Sequence, residues 1–311
     1  MPEAGHQPRG LTVLASEAFE AVVAFMRASD LLSDVRDPAV LRAAIAQGSG
    51  LVPLADDISV DLVDANGVAS EWVRAPGAVD DTALLYLHGG GYVIGSPATH
   101  RNLCAALARL LGIGVLSVDY RLAPEHPHPA AVTDATNAYR FLLDRGFDAR
   151  RLAIAGDSAG GGLTLATLVK LRDDDVGLPA AAAAISPWVD IAMTGDTMRT
   201  LAGDDPMVKP AGLAMMADWF MAGGDKRDPY ASPLYADLAG LPPVLLHVGE
   251  VETLLDDSRR MHDRLVAAGV DSSLEIFPEM VHVFHVFCGV VPEADAALEQ
   301  VAEFLRKHLG L

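Results

Sequence analysis

Two hydrophobic periodicities divide this chain. Before residue 50 the apolar positions recur at helical spacing: Phe19, Val22, Val23 and Met26 share one face of a helix expected over Ser16–Leu32, and a second helix is expected around Pro38–Gln47. From Ile58 the period drops to two. Ile58, Val60 and Leu62 alternate with polar residues, Asn66-Gly67 supplies a tight-turn signal, and Val68–Arg74 reads as the returning strand of an antiparallel hairpin. Short continuous apolar runs then alternate with helix-like stretches. The runs are Thr82–Leu87, Gly114–Val118, Leu152–Ala155, Ala181–Ile185, Val244–Val248 and Leu274–Phe277. The helical stretches are His100–Leu111, Pro129–Asp144, Ser158–Arg172, Leu254–Ala268 and Glu293–Leu309. Strands apolar on both faces and separated by helices predict an α/β fold with a mostly parallel central sheet flanked by helices.

One stretch interrupts the alternation. From Pro187 to about Arg227 there is no strand signal, and Met207–Met221 reads as a helix rich in Met and Ala, with Trp219 and Phe220. An insertion between two sheet strands leaves from the strand ends. Together with the N-terminal helices it is read as a discontinuous helical cap. The organisation is then 1–50 as the first cap part, 51–187 as core, 188–227 as the second cap segment and 228–311 as continued core. A loop packed elsewhere is the competing reading of the insertion.

The chemistry gathers at strand ends. Gly156-Asp157-Ser158-Ala159-Gly160 lies between the apolar run Leu152–Ala155 and a helix, a strand–turn–helix with serine at its apex. Such a turn holds the hydroxyl in the open in a strained backbone, and small flanking residues are needed where strand and helix meet. The pentapeptide alone also fits an ordinary tight turn, so partners decide. His88-Gly89-Gly90-Gly91 follows Ala83–Leu87 directly; the N–H groups of Gly90 and Gly91, with that of Ala159, are the candidate oxyanion hole. A phosphate loop is excluded, since neither Gly-Lys-Ser/Thr nor G-x-G-x-x-G opens a helix there. His88 is read as structural. His282, just past Leu274–Phe277, is the candidate base, with His285 its competitor. The acid should leave the end of Val244–Val248, where Glu250, Glu252, Asp256 and Asp257 cluster. Glu252 sits in the loop itself and Asp256 is the alternative. Asp256 and Asp257 fall in the first turns of a helix, where negative charge is favoured in any case.

These motifs together resemble the bacterial hormone-sensitive-lipase-like esterases, the family IV carboxylesterases of the α/β-hydrolase superfamily. The similarity is carried by His88–Gly91 in His-Gly-Gly-Gly-Tyr-Val-Ile-Gly-Ser, by Gly-Asp-Ser-Ala-Gly-Gly at Gly156–Gly161, and by the stretches Asp119–Pro127 and Ala231–Leu238. It runs from about Thr82 to the C-terminus. The resemblance implies an α/β-hydrolase fold, Ser158 as nucleophile, His282 as base, and short- to medium-chain acyl esters as substrates, with no metal or organic cofactor. It implies an aspartate acid in a D-x-L-x-D pattern; here Glu252 stands in that place, in Glu252-Thr-Leu-Leu-Asp256. Arg121 and Glu125 are read as an ion pair shaping their loop, and Asp157 as a support beside the serine. An amidase or deacetylase would use the same residues, whereas a non-catalytic ligand-binding member of the fold would not need His282.

Composition narrows the partners. The net charge of −19 argues against nucleic acid and anionic membranes. Cys104 and Cys288 are the only cysteines, far apart and in apolar context, so small core residues are expected and no disulfide or metal framework. Met1–Gly10 has no apolar core and does not read as a signal peptide, and no apolar run approaches a bilayer span, so a cytoplasmic protein is expected. Leu274–Phe277 is expected at the sheet edge, where a homodimer would form by strand pairing; the resemblance implies the same. Met215, Met216, Trp219, Phe220 and Met221 suit an apolar substrate pocket or the core.

Overall fold

The structure, a computed structural model, describes residues 15–29, 37–49 and 53–311. The stretch Met1–Gly10, and the end of the helix expected to reach Leu32, lie outside the described residues.

Among the described residues, one sheet contains β1 (Ser59–Asp64), β2 (Ala69–Arg74), β3 (Val79–Leu87), β4 (Ile113–Val118), β5 (Leu152–Asp157), β6 (Ala181–Ile185), β7 (Val244–Gly249) and β8 (Ser272–Phe277). Their order is β1-β2-β4-β3-β5-β6-β7-β8. The hairpin β1–β2 and the β2–β4 pair are antiparallel; every pair from β4 through β3 to β8 is parallel. Asn66 and Gly67 both take positive φ, 56° and 86°, the two-residue hairpin turn whose twist matches the strands it joins. Asp64 Oδ1 accepts the Gly67 N–H at 2.5 Å and fixes it.

The strands are apolar on both faces because each face carries its own layer. In β3, Leu85 and Leu87 face the core shared with α4 (Ala130–Asp144), α5 (Ala159–Asp173) and α8 (Leu255–Ala267), while Leu84 and Tyr86 face that of α3 (Pro97–Leu111) and α9 (Pro292–Leu309). The two N-terminal helices join different layers. Phe19 of α1 (Glu17–Ser29) is buried on the α3/α9 side, and Leu41 of α2 (Pro38–Ser49) on the other.

Two helix starts differ from expectation by three residues. The first is that of α3, which begins at Pro97, not His100: proline pre-sets the first-turn φ, and Thr99 Oγ1 accepts the Ser96 N–H at 3.0 Å. In the insertion, α6 (Thr197–Thr200) precedes α7 (Pro210–Met221), so the helix expected from Met207 starts three residues later. A residue before proline is pushed out of helical conformation, and Lys209 is extended at φ −108°, ψ 134°. The N–H groups of Met207 and Val208 are instead taken by the Asp205 carboxylate, each at 2.9 Å.

The parallel order brings the carboxyl ends of β3, β5, β6, β7 and β8 to one edge of the sheet, and every candidate residue above leaves from one of them.

Candidate active site

Ser158 is the single residue between β5 and α5, at φ 52° and ψ −119°. No β-carbon is comfortable there. Backbone bonds hold it in place: its N–H donates to the Ile185 carbonyl of β6 at 2.8 Å, and its carbonyl accepts from Trp188, past that strand, at 2.9 Å and from Gly162 of α5 at 3.0 Å. The flanking glycines are sterically required. A Cβ at Gly160 would run into the Leu87 and His88 carbonyl oxygens, and one at Gly156 into the Gly160 carbonyl.

His282, in the loop after β8, reaches this hydroxyl. Its Nε2 lies 2.9 Å from Ser158 Oγ and its Nδ1 2.7 Å from Glu252 Oε2. Since the carboxylate only accepts, the neutral imidazole places its proton on Nδ1 and leaves Nε2 to accept from Ser158. Glu252 is fully buried. Its other oxygen accepts the Gly249 N–H at 2.5 Å and the Ser186 hydroxyl at 2.7 Å. Ser186 Oγ in turn accepts the Val283 N–H at 3.1 Å, one residue past His282. One hydroxyl at the end of β6 therefore ties the acid to the loop of the imidazole. Burial pushes the His282 pKa down, but the Glu252 charge and hydrogen bond, with Asp205 and Asp157, outweigh it and leave it above the ordinary histidine value.

The alternatives fall elsewhere. His285 turns away into the core, where its Nε2 meets His247 Nδ1 at 3.2 Å. Burial, then the His247 and His282 charges, push its pKa well below the usual range. Asp256 Oδ2 accepts the Thr197 N–H at 3.0 Å, facing α6. Asp257 is neither solvated nor a simple helix-start charge. It is buried, and its Oδ2 accepts the Val189 and Asp190 N–H groups at 3.0 Å each. Arg121 and Glu125 do not pair with each other. Arg121 forks onto Asp134, at 2.7 Å for the shortest contact, and Glu125 binds Arg42 of α2 at 2.7 Å. The loop is shaped by two ion pairs reaching to different helices, a pairing no local spacing could reveal.

The glycine loop after β3 faces Ser158. Gly90 and Gly91 have φ of 117° and 62°, conformations that need glycine. A Cβ at Gly90 would strike the Ile94 carbonyl, and one at Gly91 the Met216 sulfur of α7. Among the described residues, no acceptor meets the N–H groups of Gly90, Gly91 or Ala159. Below the loop, Asp157 Oδ1 accepts the Gly89 N–H at 3.1 Å and the Tyr86 hydroxyl at 2.8 Å, so the residue beside the serine also fixes the glycines. Burial raises the Asp157 carboxyl, but His100, Tyr86 and His88 bring it below the ordinary value. His88 is structural: buried, stacked on Tyr120 at 4.2 Å, its Nδ1 2.7 Å from the Gly89 carbonyl, and pushed to a pKa of about 3 by burial and by His100.

Over the loop, Tyr92 stacks on Phe220 of α7 with ring centroids 3.9 Å apart, and Trp188 lies 6.2 Å from Tyr92. Arg42 holds the same region from α2, donating to the Val93 and Ala123 carbonyls at 2.8 Å each. Ser186, Asp205 and Arg42 escaped the sequence reading. Only Ser186 carried a usable signal, its place directly after the apolar run Ala181–Ile185. Among the described residues, no cluster of three or more His, Cys, Asp or Glu side chains could hold a metal, and no helix is long and apolar enough to cross a membrane.

A mostly parallel sheet that delivers serine after β5, glutamate after β7 and histidine after β8 has the layout of an α/β hydrolase. The sequence profile of the alpha/beta hydrolase fold family matches residues 84–286. An acetyl-hydrolase of Streptomyces hygroscopicus is 46% identical over 250 residues, 80% of this chain and 83% of that one. An ethyl acetate hydrolase of Pseudomonas putida is 33% identical over 267 residues, 81% and 82% of the two chains. The crystal structure of an esterase from the bacterial hormone-sensitive lipase family superposes with a TM-score of 0.93 at 46% identity, covering 96% of this chain and all of that one. The chain belongs to the alpha/beta hydrolase fold family and, within it, to the bacterial hormone-sensitive-lipase esterases.

Proposed function

We propose that this carboxylic ester hydrolase works through an acyl-enzyme on short- to medium-chain acyl esters, with Ser158 as nucleophile, His282 as general base and acid, Glu252 as the orienting acid, and the N–H groups of Gly90, Gly91 and Ala159 as oxyanion hole. The observation that carries this reading is the unbroken chain Glu252–His282–Ser158, with contacts of 2.7 and 2.9 Å. As Ser158 Oγ attacks the ester carbonyl, its proton passes to His282 Nε2 and the imidazolium is stabilised by Glu252. The carbonyl oxygen gains charge where the three unpartnered N–H groups can receive it. His282 then protonates the leaving alcohol. Water attacks the acyl-enzyme by the same route, and Ser158 regains its proton.

The acyl-length part rests on the cap and on the named relatives. The thioether of Met216 presses on Gly91 and the Tyr92–Phe220 stack closes over the loop, which limits room beside the carbonyl. The Streptomyces and Pseudomonas relatives carry acetyl-hydrolase and ethyl acetate hydrolase names. A fluorophosphonate should label the protein, and Ser158→Ala should abolish labelling; an unlabelled wild type refutes the mechanism. On a p-nitrophenyl ester series, kcat/KM should peak between acetate and hexanoate. A peak at dodecanoate or beyond refutes the acyl-length reading alone.

Three further parts of the reading are proposals of the same kind. Residues 188–227, with the N-terminal helices, act as the cap. A homodimer forms through β8, which ends the sheet; a monomeric mass by light scattering at micromolar concentration would remove it. The cytoplasm suits two free thiols that are both buried.

A further inference from the structure

Asp205 lies in the segment between α6 and α7 and is fully buried. A buried carboxylate is costly unless every lone pair is engaged. Here four donors meet it. Oδ1 accepts the N–H groups of Met207 and Val208, at 2.9 Å each. Oδ2 accepts the Thr253 N–H at 2.9 Å and the Thr253 hydroxyl at 3.2 Å. Every one of these bonds uses the carboxylate as acceptor, the pattern of a charged group. Thr253 is the neighbour of Glu252, so the insertion grips the acid loop one residue from the acid. A second grip flanks the first: the Thr197 hydroxyl donates to the Thr253 carbonyl at 2.9 Å and accepts the Asp256 N–H at 3.0 Å.

We propose that Asp205 is a positioning residue for the Ser158–His282–Glu252 system: from the insertion it fixes the loop that carries Glu252, and it sets a second buried negative charge near the imidazole. The inference rests on His282 being the base. Four titratable groups act on or answer to that imidazole: Glu252 from the loop after β7, Asp205 from the insertion, Asp157 from the end of β5, and His285 from the same loop as His282. The three carboxylates favour the imidazolium. His285 is held neutral by burial and by the His247 and His282 charges. The role of Asp205 is thus twofold. Its hydrogen bonds set where Glu252 can reach, and its charge lowers the cost of the proton that His282 takes from the serine.

The pH profile separates this role from a merely structural one. The acidic limb of kcat/KM reports His282 in the free enzyme. Asp205→Asn keeps the shape and removes the charge, so the imidazolium loses support and the limb should move to lower pH by about half a unit or more. The plateau rate should fall roughly tenfold, because an amide cannot accept all four donors. Thr253→Val keeps the charge and drops one bond, so its limb should stay while its rate falls a few-fold. A limb unmoved in Asp205→Asn, whatever its rate, overturns the proposal. If that variant does not fold, Asp205→Ser is read in the same way, and failure of both to fold assigns Asp205 to structure alone and also overturns it. His282→Ala keeps the two readings apart: retained activity there refutes the base, whereas an inactive His282→Ala with an unmoved Asp205→Asn limb refutes only the positioning role.

Discussion

Replacing Glu252 by glutamine removes one charge and almost no volume. The Oε2 atom lies 2.7 Å from His282 Nδ1, which puts the charge centres about 4 Å apart once the imidazolium forms. At the effective dielectric that suits protein sites this attraction is worth about 4 kcal/mol, and above the acidic limb the proposed mechanism charges the imidazole as the serine attacks. The loss therefore falls on kcat and amounts to about a thousandfold. Glutamine can also present its NH2 to Nδ1. That would place the remaining imidazole proton on Nε2, facing Ser158, and the hydroxyl would lose its acceptor. Stability should change little, because an amide oxygen can still accept from Gly249 and Ser186, at the positions now 2.5 and 2.7 Å away. The sign in pH follows from the same contact. Glu252 is the main influence raising the His282 pKa against burial, so the acidic limb should shift to lower pH in the variant. The assay is kcat at saturating p-nitrophenyl acetate, with kcat/KM for the limb, from pH 5 to 9, beside a melting curve. A variant within tenfold of wild type, or a deeper loss in Asp256→Asn, would refute the assignment of the acid.

The two glycines proposed for the oxyanion hole should respond differently. Gly90→Ala sets its methyl against the Ile94 backbone and should abolish turnover, whereas Gly91→Ala meets the flexible Met216 side chain; Met216→Ala should therefore recover part of the Gly91→Ala activity and none of the Gly90→Ala activity, and equal recovery of both would refute this. Ser186→Ala strips one donor from the buried Glu252 and orphans the Val283 N–H, so a loss of about 2 kcal/mol in stability and a ten- to hundredfold fall in kcat are expected; unchanged kinetics would refute the tie between acid and base loops. Burial, then Asp190, raises the Asp257 carboxyl to about 8, so the folded protein holds a proton that the unfolded chain gives up near pH 4, and stability from this group falls as pH rises between about 4 and 8. Asp257→Asn removes that slope, so its Tm relative to wild type should climb from pH 5 to pH 8.5; a constant difference would refute it.

The residues that could be read from sequence share a physical property: their environment is set by their immediate neighbours. A serine between a run of strand residues and a helix must sit on an elbow, because Gly156 and Gly160 are both needed to let β5 and α5 pass the end of β3. A glycine loop straight after a buried parallel strand opens at the strand's carboxyl end, where ligands bind in such sheets. The same logic placed the sheet, the hairpin turn at Asn66-Gly67 and the helices to within a few residues. Proline context explains the starts at Pro97 and Pro210 that were missed.

What resisted reading is what depends on contacts between distant segments. Arg121 and Glu125 sit four residues apart and look like a pair, yet the real partners, Asp134 and Arg42, lie on α4 and on α2. Asp205 carries no motif at all, and Ser186 only its place directly after an apolar strand. Their meaning comes from Thr253 and Glu252, which lie 48 and 66 residues further along the chain. Among the four acidic residues near β7, charge pattern alone does not rank the candidates, because what singles out Glu252 is a buried address shared with three donors: Gly249, Ser186 and His282. The longer glutamate side chain fits that address. One carboxylate oxygen is held by Gly249 N–H and the Ser186 hydroxyl while the other meets His282, and an aspartate on the same backbone would fall short by one carbon–carbon bond, about 1.5 Å. Glutamate in this loop is therefore matched to where Ser186 and Thr253 are held, by β6 and by Asp205, so the identity of the proposed acid and the anchoring of the insertion are one structural problem.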